Sequence, residues 1–68
     1  MKEMKRYIKE LAHDIHRYMD KKVELSNKQY SDFSWDIYRA YSLYQHGLIT
    51  ENDIVNKLVN IWNEIKAI

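Results

Sequence analysis

His13 and His16 stand one helical turn apart, with Asp20 a turn beyond. Imidazole and carboxylate groups on one helix face are the beginnings of a metal site. No fourth ligand is evident and the positions read as solvent-facing, so neither a metal nor a cofactor is expected. His46, beside Gly47, reads as a helix-end residue suited to the negative end of the helix dipole. Catalysis has less to stand on. The chain has no cysteine, no glycine-rich phosphate loop and no serine in a nucleophile-elbow context. No acid pair is framed by apolar residues, and 68 residues rarely enclose a pocket of enzyme size. The expectation is a non-enzyme with no catalytic residue.

Two surfaces could bind instead. Lys2, Arg6, Lys9, His13 and Arg17 fall together on one helix face, where they could track phosphates and release counterions. The bland alternative is a solvated face opposite a core stripe. Nucleic-acid binders are usually more basic than a pI near 8.0. Asp32 and Asp36 on the second helix would also repel a duplex. The other surface is Trp35, Tyr38, Arg39 and Leu43, which fall off the apolar stripe of the second helix. Exposed Trp and Tyr beside Arg have the composition of a protein-contact hot spot. The competing reading is partial burial under a neighbouring loop or terminus. On this reasoning Trp35 should be more exposed than Trp62.

Three helices must position these residues. Met4, Ile8, Leu11, Ile15 and Tyr18 recur at spacings of four and three, the stripe of an amphipathic helix over about 2–22. Met1, Ala12 and Met19 widen it. Val23 and Leu25 would pin a short connector to the core. Ser26, with Gln29 three residues on, is a capping box that opens a second helix over about 27–46. Its core stripe is Tyr30, Phe33, Ile37, Ala40, Tyr41 and Tyr44, continued by Leu48. A third helix over about 51–66 has Ile54, Leu58, Ile61, Ile65 and Ile68 as its main stripe. Val55, Val59 and Trp62 form a second stripe beside it.

The clearest break lies between the second and third helices. Gly47 is the only glycine, there is no proline, and Thr50 with Asp53 can cap the helix that follows. Leu48 and Ile49 would plug that corner into the core. The segment resembles the SHOCT family, a short helical hairpin usually found at the ends of longer proteins. That family has Gly-x-Ile-Thr after a helix, then an acidic pair, an apolar residue and a Lys. Gly47, Ile49, Thr50, Asn52, Asp53, Ile54 and Lys57 hold those places here. The family usually has Glu-Phe where this chain has Asp53-Ile54. The resemblance covers roughly residues 43–58, and it implies an interaction or oligomerisation module without catalytic residues.

Composition bounds the rest. The chain is one domain at most, and such a small core is marginal alone, which favours a homodimer. The net charge of +1 is unevenly spread, with a basic first helix and a mildly acidic remainder. No apolar run suggests a signal peptide or a membrane span, so a cytoplasmic protein is expected. The bias toward Lys, Ile, Asn and Tyr suits an AT-rich genome and a phage or mobile-element origin. The whole reads as an all-α three-helix bundle, a non-enzymatic protein-interaction module that regulates or inhibits a larger protein. A small nucleic-acid-associated regulator using the first helix, or a structural homo-oligomer, are the alternatives.

Overall fold

The computed structural model describes residues 2–68, with side chains from Met4 onward. It is an all-α three-helix bundle of α1 (Lys2–Lys21), α2 (Asn27–Gln45) and α3 (Glu51–Lys66), with no strand among the described residues. The observed helices match the expected ones to within one residue at each end. Met1 and the Lys2 side chain lie outside what is described. The body measures 36 × 19 × 15 Å. A 20-residue helix alone spans about 30 Å, so the helices lie side by side and the short connections reverse the chain each time.

Local chemistry sets each boundary. At the start of α2, Ser26 Oγ accepts from Gln29 N at 3.1 Å, while Ser26 N donates to Gln29 Oε1 at 2.9 Å. At the start of α3, Thr50 Oγ1 accepts from Asp53 N at 3.1 Å, and Thr50 N donates to Asp53 Oδ2 at 3.2 Å. Both are complete capping boxes. Leu25 and Ile49 each precede a cap and pack against the core, as the outer half of a hydrophobic staple does. The Tyr30 hydroxyl donates to Asp20 Oδ1 at 2.5 Å, tying the end of α1 to the start of α2. That bond to a carboxylate raises the Tyr30 phenol above its usual pKa.

The end of α2 is a Schellman motif. Leu48 N donates to Leu43 O at 2.9 Å and Gly47 N to Tyr44 O at 3.0 Å. Gly47 sits at φ 73°, the left-handed conformation in which a Cβ would crowd its own backbone. Beyond Gly47 and its two chain neighbours, a Cβ there would meet no described atom within 4 Å. Gly47→Ala should therefore lose only the conformational preference, about 1–2 kcal/mol, with helicity at low temperature unchanged. Thermal melts of the two proteins check this. Loss of the fold would show a packing role that the open space at Gly47 does not suggest.

The core comprises Ile8, Leu11, Ile15 and Met19 from α1, Ile37 and Ala40 from α2, and Ile54, Leu58, Ile61 and Ile65 from α3. No polar or charged residue is buried among the described residues. Helix α3 packs along both other helices, whereas α1 and α2 touch each other least. Three expectations fail at the edges of this core. Val23 is 89% exposed, because the connector turns outward and only Leu25 reaches the core. Leu48 is 70% exposed, since the left-handed Gly47 swings it out and leaves Ile49 alone to plug the corner. Ile68 is 41% exposed, lying past the last turn of α3.

Candidate functional site

Because α3 holds α1 and α2 from one side, their opposite sides do not close on each other. The result is an open groove. Its α1 wall carries Arg6, Lys9, His13 and His16, which follow one another at steps of three and four and so share a face. Its α2 wall is uncharged and offers Ile37, Tyr38 and Tyr41. The central hollow between them is about 640 Å³. It continues past Lys5, Tyr41 and Tyr44 to Gly47 at one end, and past His16 to Ser31, Ser34 and Trp35 at the other.

The α2 wall is a ladder. Trp35, Tyr38, Tyr41 and Tyr44 recur every third residue. A helix has 3.6 residues per turn, so such a row creeps around the axis instead of running straight along it. It begins in solvent at Trp35, 59% exposed, and Tyr38, 65% exposed. It ends partly buried at Tyr41 and Tyr44. Trp35 and Tyr38 meet edge to face, with centroids 5.8 Å apart and planes at 86°. The Tyr44 hydroxyl donates to Glu51 Oε2 at 3.3 Å. Partial desolvation and the Glu51 carboxylate raise its pKa.

The residues singled out from sequence fall into one region, with exceptions. Trp35, Tyr38, Arg39 and Leu43 line a common hollow on the outer side of α2. Arg6, Lys9 and His13 line the groove on the other side of Tyr38. Arg17 is exposed but lines neither. The Lys2 side chain is not described. Helix α1's basic face and α2's aromatic patch thus adjoin, with Tyr38 shared between them.

No family model, curated protein or solved structure matches this chain.

The groove offers cations on one wall and aromatic faces and edges on the other, above an apolar strip at Ala12 and Ile37. Glu10 also lines it, and its carboxylate lies 3.4 Å from Arg6 Nε. Both partners of that pair are well exposed, so it holds little energy and leaves Arg6 open to competition. Asp20 is engaged by Tyr30, and among the described residues no three His, Asp or Glu groups gather where they could hold a metal ion. No described helix is long and apolar enough to cross a membrane. Sequence reasoning assigned Ile37 and Tyr41 to the core alone. Both also face the groove, and the three-residue spacing of the aromatics was the available signal.

Proposed function

We propose that this chain is a non-enzymatic protein-interaction module, a small regulator or inhibitor that acts by docking on a larger protein. The observation that supports it best is the exposed edge-to-face pair of Trp35 and Tyr38. A small domain has few large apolar side chains to bury. Leaving an indole in water forgoes roughly 1.5–3 kcal/mol of burial. Trp and Tyr are also the side chains that most often carry binding energy, and Arg39 stands in the same patch. The SHOCT-like turn around Gly47 is in keeping with this reading.

A second reading has its own observation. Arg6, Lys9 and His13 face a row of aromatics, an arrangement that suits single-stranded nucleic acid through phosphate contacts and base stacking. One experiment separates the two: affinity capture from the native host at low and high salt with the wild-type chain and the Trp35→Ala, Tyr38→Ala double variant. The protein-interaction reading expects a protein retained at high salt by the wild type and lost by the variant. Capture of nucleic acid that disappears at high salt, with no such protein, would favour the second.

A further inference from the structure

We infer that the groove between α1 and α2 is the seat for one amphipathic helix of the partner, apolar along its middle and acidic along its border. This deepens the protein-interaction reading and rests on it. The size fits. From Lys5 to His16 the basic wall spans eleven helical steps, about 16 Å at 1.5 Å each, or three turns of an occupant. The shape fits as well. The ladder from Trp35 to Tyr44 forms an i±3 ridge, the kind of row that interdigitates with another helix, and Ala12 and Ile37 give that helix an apolar floor. A helix laid there would cover α1 and α2 on the side that α3 leaves open.

Charge determines the occupant. Lys5, Arg6 and Lys9 stand on the wall against a single Glu10, and the α2 wall opposite has no charge to offset them. A helix with carboxylates along the α1 side would be steered in and held in register, while a basic one would be repelled. A second copy of this chain has no such helix to offer. The outer face of α3 mixes Asn52, Asn56, Asn60 and Asn63 with charges of both signs, Asp53 and Glu64 against Lys57 and Lys66. Val59 is its one well-exposed large apolar residue, so it has no apolar stripe with an acidic border. The exposed aromatics of α2 are themselves the lip of the groove.

The test uses a fluorescent, hydrocarbon-stapled helix of four turns, with a leucine stripe bordered by glutamates, and a twin bordered by lysines. Anisotropy measures their binding to the full chain at low and high salt, and amide shifts at Ala12 and Ile37 locate it. The glutamate helix should bind at least ~10-fold tighter than its twin. Arg6→Glu with Lys9→Glu should reverse that order, and both sites are exposed, so the melt should be unchanged. Equal binding of the two helices, indifference to the charge reversal, or shifts confined to other faces would overturn the inference. So would self-association that the charge reversal abolishes, or preference for a single-stranded oligonucleotide over either helix. If the glutamate helix fails while Trp35→Ala still abolishes capture of the partner protein, the groove assignment falls and the interaction module stands.

Discussion

Leu58→Asp is expected to abolish the folded state. Leu58 is fully buried in the middle of α3, the helix that packs along both others. The substitution loses roughly 1.5–3 kcal/mol of burial and also forces a carboxylate into a core where no polar or charged residue is buried among the described residues. An unpaired buried charge costs about 3–5 kcal/mol. A chain of 68 residues has a total stability of only roughly 3–10 kcal/mol. Far-UV circular dichroism should show a chain without cooperative melting. Leu58→Met, which keeps the volume, should stay within about 1.5 kcal/mol of wild type. A retained melt with unchanged helicity in the aspartate variant would put Leu58 outside the core.

The two tryptophans should behave in opposite ways. Trp62 is partly buried, meets Tyr18 edge to face at 6.1 Å, and lies under the Lys66 ammonium at 4.7 Å. Removing it opens a void between the ends of α1 and α3. Trp62→Ala should cost about 2–4 kcal/mol, below the full range for a core tryptophan because part of the ring is wet. Trp62→Phe should cost much less. The Nε1 group is buried without a hydrogen-bond partner among the described residues, and phenylalanine removes that unpaired donor. Trp35→Ala should leave the melt within about 0.5 kcal/mol, since it takes away an exposed side chain. Acrylamide quenching of single-tryptophan variants checks the premise directly: the chain with only Trp35 should quench more steeply. Better shielding of Trp35 would return that patch to the core.

Much of the fold was legible because its boundaries are set locally. Ser26 with Gln29, Thr50 with Asp53, and Gly47 each act within a few residues of chain, and spacing alone identifies them. The burial of Ile8, Ile15, Ile54 and Leu58 follows from period as well. Val23 and Leu48 were misjudged because an apolar residue in a turn points wherever the turn aims it, and periodicity is silent there. The groove was invisible for a different reason. Sequence spacing shows which residues share a face of one helix, but not how far apart two helices stand. Only the packing of α3 against both neighbours reveals that Lys9 and Tyr41 stand on opposite walls of one hollow.

The dominance of α3 contacts also bears on how the chain comes into being. A ribosome releases α1 and α2 first, and these two have little of each other to bury. Most of a helix's stability in a protein comes from packing its apolar face, and the stripes of Ile8, Leu11 and Ile37 gain most of their cover only when residues 51–66 emerge. Folding then waits on α3. A product cut short in the turn around Gly47 would hold two amphipathic segments and no core, a ready target for chaperones and proteases.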